Sequence, residues 1–211
     1  MSDLLPLFPL PNTVLFPNVF LPLHIFEPRY RDMVADALRG DRMIGMVLLR
    51  PGWEREYEGC PAVYPVGCSG VITHVEHLPD GRYNIVLRGL DRFRIVAEEH
   101  TRSYRRAEVD MLRDAPLDDP ARSLLRGLRA RLESFVAPAV ERHGPGARAA
   151  SAVSDEDLVN ALAQYLDLDP VEKQALLELD GVARRAESLV ELLEMKLLMA
   201  RTPGGVPNVA H

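Results

Sequence analysis

At 211 residues and 47% hydrophobic content, the chain is long enough to bury a core without metal or disulfide support. A formal net charge of −6 gives it no general attraction to phosphate backbones, so nucleic acid is not expected as a partner. The two cysteines, Cys60 and Cys68, form neither a disulfide framework nor a zinc knuckle, and a reducing, cytoplasmic setting is expected.

The opening stretch is apolar, but it carries Asp3 in place of a basic segment, and Pro6, Pro9, Pro11 and Pro17 interrupt it. Neither a signal peptide nor a membrane anchor is expected there. Its apolar clusters, Leu4 to Leu10 and Val14 to Phe16, read as short or edge strands, because proline cannot donate to a ladder. Val19 to Phe26 reads as a further strand, with Phe16, Phe20 and Phe26 assigned to the core. Pro28 then opens a helix whose apolar face holds Tyr30, Met33, Val34, Ala37 and Leu38, with Gly40 as its C-terminal cap.

Met43 to Leu49 is a short apolar run expected as a buried strand, and residues 50–62 are expected as a loop carrying Trp53 and Tyr57. Val63 to His77 reads as a strand bent at Gly67 and Gly70. The turn signal Pro79-Asp80-Gly81 joins it to Tyr83–Arg88 as a hairpin. A second turn is expected at Gly89-Leu90-Asp91, then strands over Phe93–Ala97 and Tyr104–Leu112.

Beyond residue 113 the signals are helical. Asp119 and Pro120 open a helix with a stripe of Leu124, Leu128, Leu132 and Phe135. Pro138 to Ala152 is expected as a flexible connector. Ser154 with Asp157, and Asp169 with Pro170 and Glu172, mark two more helix starts. Asp180 is expected to cap a last helix that buries Ala186, Leu189, Val190, Leu193 and Leu197. The expected fold is therefore α+β: an antiparallel barrel-like domain over 1–113 with one inserted helix, a helical bundle over 114–203, and a disordered tail over 204–211.

Several phrases, taken in order, resemble the Lon protease N-terminal domain family. They are Leu5-Pro6-Leu7-Phe8-Pro9-Leu10, Leu21-Pro22-Leu23-His24-Ile25-Phe26-Glu27-Pro28-Arg29-Tyr30, Tyr64-Pro65-Val66-Gly67, and Arg92-Phe93-Arg94-Ile95. The helical part adds Glu172-Lys173-Gln174 and Leu176-Leu177-Glu178. The resemblance implies a PUA-like pseudo-barrel with an attached helical part. It also implies recognition of unfolded or partner polypeptides, in concert with a separate protease or chaperone. The chain ends at His211 without a Gly-x-x-x-x-Gly-Lys-Ser/Thr phosphate loop, so ATP hydrolysis and proteolysis do not carry over, and no cofactor or metal is expected.

The candidate binding residues are Trp53 and Tyr57, as loop aromatics, with Tyr30, Glu27 and Arg29 at the strand-to-helix corner. For Glu27 and Arg29 a structural role competes: a helix-start acid beside its own partner. A small-ligand-binding or hydrolytic protein on the same barrel is the alternative. It would draw on Ser69, which lacks a Gly-x-Ser-x-Gly elbow, or on His74 and His77, which fall on opposite faces of a strand. Cys68 is expected to be buried and Cys60 accessible. Arg122, Arg126, Arg129 and Arg131 form the best basic patch, most simply a solvated helix face.

Overall fold

A computed structural model describes residues 4–56, 59–143 and 153–201. Among the described residues six strands and five α-helices follow in the order β1 (Leu5–Leu10), β2 (Phe20–Ile25), α1 (Pro28–Arg39), β3 (Met43–Leu48), β4 (Val66–His77), β5 (Tyr83–Glu99), β6 (Arg106–Leu112), α2 (Asp119–His143), α3 (Asp155–Tyr165), α4 (Pro170–Glu178) and α5 (Val182–Arg201). This is an α+β architecture. The sheet order is β2-β5-β4-β3-β1-β6, and β6 also pairs with β5. The ladder therefore returns on itself through β1, β3, β4, β5 and β6, and β2 stands outside that ring.

The sheet is mixed rather than antiparallel, since β1 runs parallel to β3. β1 is not an edge strand despite its prolines. Its two ladders are staggered, with β3 flanking Leu7–Leu10 and β6 flanking only Leu5 and Pro6, so a missing amide disturbs little. Val14, Leu15 and Phe16 are buried without forming a strand.

The Pro79–Gly81 turn forms as expected, with Gly81 at φ 81° and its amide donating to the Leu78 carbonyl at 2.9 Å. No turn forms at Gly89-Leu90-Asp91, where β5 runs straight through for 17 residues. Gly89 serves close approach instead: a Cβ there would collide with the Phe16 carbonyl. The first half of β5 lies between β2 and β4, and the second half reaches β6. The β4–β5 register shifts twice, between Cys68 and Gly70, where the extra residue is in β5, and between Ile72 and His74, where it is in β4.

Pro28 begins α1, which buries Tyr30, Met33, Val34 and Ala37. α2 buries Leu125, Leu128 and Leu132 and exposes Leu124, so the expected stripe is displaced by one residue at its start. α2 also runs to His143, into the segment expected as a connector; residues 144–152 and the tail lie outside the described residues. The Ser154 side chain accepts the Asp157 amide at the start of α3, and Glu172 accepts the Asp169 amide at 2.8 Å at the start of α4. Asp180 does not cap α5. The helix starts after Gly181 (φ 82°), and the Asp180 carboxylate lies 3.6 Å from Arg92. Leu197 is exposed, not buried.

One buried cluster joins Phe8, Phe16 and Ile25 of the strand half to Leu128, Val159 and Val190 of the helices. Two buried arginines cross this junction. Arg92 meets Asp114 at 2.5 Å and donates to the Leu177 carbonyl at 3.0 Å. Arg185 donates to Asn160 at 2.8 Å and lies 3.5 Å from Asp114. Gln174 and Gln164 complete the seam, the first donating to the Val66 carbonyl at 2.9 Å and the second accepting the Phe16 amide at 3.2 Å.

Candidate functional site

β2 is an open edge, because among the described strands it pairs with β5 alone. The Val19 carbonyl accepts the Gly89 amide at 2.9 Å, and the register runs from Phe20 opposite Arg88 to Ile25 opposite Tyr83. Antiparallel alternation then commits Leu21, Leu23 and Ile25 to β5 and turns the peptide groups of Phe20, Pro22 and His24 outward. Pro22 falls where its missing amide costs no ladder bond, which is where an edge strand tolerates proline. The Tyr165 hydroxyl, from the end of α3, donates to the outward Phe20 carbonyl at 2.8 Å.

The same alternation sorts the side chains. Leu21, Leu23 and Ile25 turn toward the core, whereas Phe20 is 50% exposed and Phe26, just beyond the strand, is 60% exposed. Both were expected in the core and are not. Tyr165 is 66% exposed, so three aromatic rings stand in water around one strand. Phe26 stacks on His24 with centroids 6.2 Å apart.

A polar rail fixes the outer face behind these rings. Arg82 Nη1 lies 3.1 Å from His24 Nε2. Arginine only donates, so His24 presents Nε2 as acceptor and donates from Nδ1 to Asn84 Oδ1 at 2.7 Å. Asn84 in turn donates to Glu76 at 2.7 Å. A shallow depression bounded by Pro22, His24, His74 and Val86 lies along this face. An extended chain laid against β2 would meet free main-chain groups on one side and aromatic rings on the other.

Of the residues expected from the sequence, Glu27, Arg29 and Tyr30 lie together at the start of α1. Glu27 and Arg29 pair with each other at 2.9 Å, and the Arg29 guanidinium sits 4.7 Å over the Tyr30 ring. Tyr30 is buried with its centroid 4.5 Å from Phe8. Trp53 is half-buried in a single 3-10 turn over Trp53–Glu56, and Tyr57 lies outside the described residues. Arg29 and Tyr30 do line a cavity of about 210 Å³, together with Cys60, His100, Arg102 and Arg105.

At the edge of that cavity the Tyr104 hydroxyl donates to Asp36 at 2.7 Å. This bond, helped by Arg39 and Arg102, holds the Asp36 carboxyl below its ordinary range. Burial and the same bond push the Tyr104 phenol up to about 12.

Ser69 is buried, and its hydroxyl donates to the Asp91 carbonyl at 2.9 Å. Among the described residues no three His, Cys, Asp or Glu side chains converge as metal ligands. Of the α2 arginines, Arg122 pairs with Asp119, Arg129 with Glu133 and Asp155, and Arg131 with Glu194. Cys68 is buried, and burial raises its thiol to about 12, whereas Cys60 is exposed. Among the described residues no helix is long and apolar enough to cross a membrane.

Comparison with known proteins gives a consistent picture. Residues 4–195 match the family described as the ATP-dependent protease La (LON) substrate-binding domain. The chain is 32% identical over 197 residues to Lon protease 2 of Herpetosiphon aurantiacus, covering 92% of this chain and 24% of that protein. It is 29% identical over 201 residues to Lon protease 2 of Myxococcus xanthus, covering 93% and 24%. The chain thus spans about a quarter of the length of these relatives. Among solved structures, the N-terminal domain of Mycobacterium avium complex Lon protease superposes with a TM-score of 0.67 at 18% identity, covering 91% of this chain and 98% of that one. A Lon N-terminal domain protein from Xanthomonas campestris gives 0.59 at 26% identity, covering 95% and 99%.

Proposed function

Because the chain belongs to the family of ATP-dependent protease La (Lon) substrate-binding domains, we propose that it is a non-catalytic module that recognises unfolded or partner polypeptides along the open edge of β2. The observation that carries this reading is the group of exposed rings, Phe20, Phe26 and Tyr165, around a strand with one unpaired side. Burying aromatic surface supplies affinity that is indifferent to sequence, and main-chain pairing to the Pro22 and His24 peptide groups adds to it for any extended chain. In this reading the ring of strands is a PUA-like barrel and the helices are a bundle that braces it. A separate ATP-dependent protease or chaperone would receive what the module binds. The net charge of −6 disfavours nucleic acid as the ligand. Trp53, Tyr57, Tyr30, Glu27 and Arg29 enter the proposal as secondary contacts.

The test is a fluorescence-anisotropy titration of a labelled, permanently unfolded polypeptide with the full chain, without nucleotide. Saturable binding that weakens in the double variant Phe20→Ala/Phe26→Ala supports the reading. Binding that survives this variant and fails in Trp53→Ala moves the surface to the 50–62 loop. No saturable binding removes the reading altogether.

A further inference from the structure

The cavity beside Arg29 and Tyr30 contains a nucleophile that polypeptide recognition at β2 does not use. Cys60 Sγ lies 3.3 Å from His100 Nδ1, and both side chains line the cavity. The other ring nitrogen, His100 Nε2, is 3.9 Å from a Glu98 carboxylate oxygen. The imidazole Nδ1 is thereby within reach of the thiol proton, with Glu98 on the far side of the ring. Arg105 holds the two halves of this arrangement in register. Two of its nitrogens grip Glu98, at 2.7 and 2.8 Å, and the third donates to the Pro61 carbonyl at 2.7 Å, next to Cys60.

Guanidinium groups dominate the polar lining of the cavity, each ion-paired with one carboxylate, Glu27, Asp36 or Glu98. Arg29, Arg102 and Arg105 line it, and among the described residues no carboxylate side chain does. Arg102 meets Asp36 through one nitrogen at 3.3 Å, and a guanidinium carries five donors. A volume of about 210 Å³ admits a small molecule and no folded partner.

We propose that Cys60 is a modification site, at which a His100-activated thiol exchanges with low-molecular-weight disulfides that carry carboxylates. The thiol proton passes to His100 Nδ1, and the thiolate attacks one sulfur of the disulfide. The old sulfur–sulfur bond breaks as a mixed disulfide forms on Cys60. The other half leaves as a thiolate and is protonated to the thiol, so Cys60 is oxidised as the small molecule is reduced. This site is independent of the β2 reading, and either can fail without the other.

The full chain, reduced and then mixed with oxidised glutathione at pH 7, tests this by intact-mass spectrometry. One adduct is expected, absent in Cys60→Ser, since Cys68 is buried with its thiol raised to about 12. The rate should exceed that of a peptide of residues 56–64 by about tenfold or more, and should exceed the rate with neutral bis(2-hydroxyethyl) disulfide by a similar factor. His100→Ala, at a half-exposed position, should reduce the rate with both disulfides. Arg102→Ala, also half-exposed, should reduce only the preference for the acidic one. A rate no faster than the peptide's, or one untouched by His100→Ala, overturns the proposal.

Discussion

At the junction between strands and helices, two arginines are buried around one carboxylate, Asp114; at the β2 edge, three aromatic rings stand in water. The two regions invert the usual placement of charge and apolar surface, for opposite reasons. At the junction, Arg92 of β5 ties the sheet to α4 through the Leu177 carbonyl, and Arg185 of α5 ties α5 to α4 through the Leu176 carbonyl. Burial disfavours the Arg185 cation, and Asp114 offsets that penalty. At the edge, half or more of Phe20 and Phe26 stands in water, an exposure that a bound chain would remove.

If the junction is scaffold and the edge is ligand surface, stability and binding should separate. Asp114→Ala should have the largest effect, costing about 3–5 kcal/mol of unfolding free energy in chemical denaturation. The chain that remains folded should bind polypeptide unchanged. Phe16→Ala should cost a similar amount, about 3–5 kcal/mol, because Phe16 is buried. Phe20→Ala, four positions along, should move stability by no more than about 0.5 kcal/mol yet weaken polypeptide binding by about 2 kcal/mol, roughly thirtyfold. Equal stability losses for Phe16→Ala and Phe20→Ala would erase the distinction between the regions.

The Tyr104–Asp36 tie lies between these extremes. Asp36 is held below its ordinary 3.8, so its contribution is present above that value and is lost as pH falls through the lower folded value. Tyr104 is raised from 10.0 to about 12, so its contribution is present below pH 10.0 and is lost as pH rises through about 12. Tyr104→Phe should therefore lose about 1 kcal/mol at neutral pH. Its stability curve should converge on the parent's in strong acid. The smallest effect is expected from Tyr165→Phe, which frees the Phe20 carbonyl but keeps the ring. It should cost about 0.5–1 kcal/mol of stability and leave polypeptide affinity within about threefold.

The sequence carried the local signals well, since each is written in a few adjacent residues. Pro28 begins α1, Gly81 makes its turn, and Glu172 caps α4. It failed where a residue's role depends on distant chain. Gly89 reads as a turn until the Phe16 carbonyl is seen against it. The parallel β1–β3 pairing leaves no mark in either strand. Alternation in β2 does separate Phe20, Pro22 and His24 from Leu21, Leu23 and Ile25. Yet it cannot say that only the second set is covered, because both sets contain apolar residues. The unrelieved mixture of Phe, Pro and His on one face was the available signal for an exposed edge. Tyr165 could not have been joined to that face from sequence, 145 positions away.

The most direct test of the central claim is amide hydrogen exchange across β2, with and without a saturating unfolded polypeptide. Slowed exchange at the outward amides of Phe20 and His24, with α5 unchanged, is the result expected if bound chain pairs with this edge. Unaltered exchange at those two amides in a demonstrably saturated complex would contradict it.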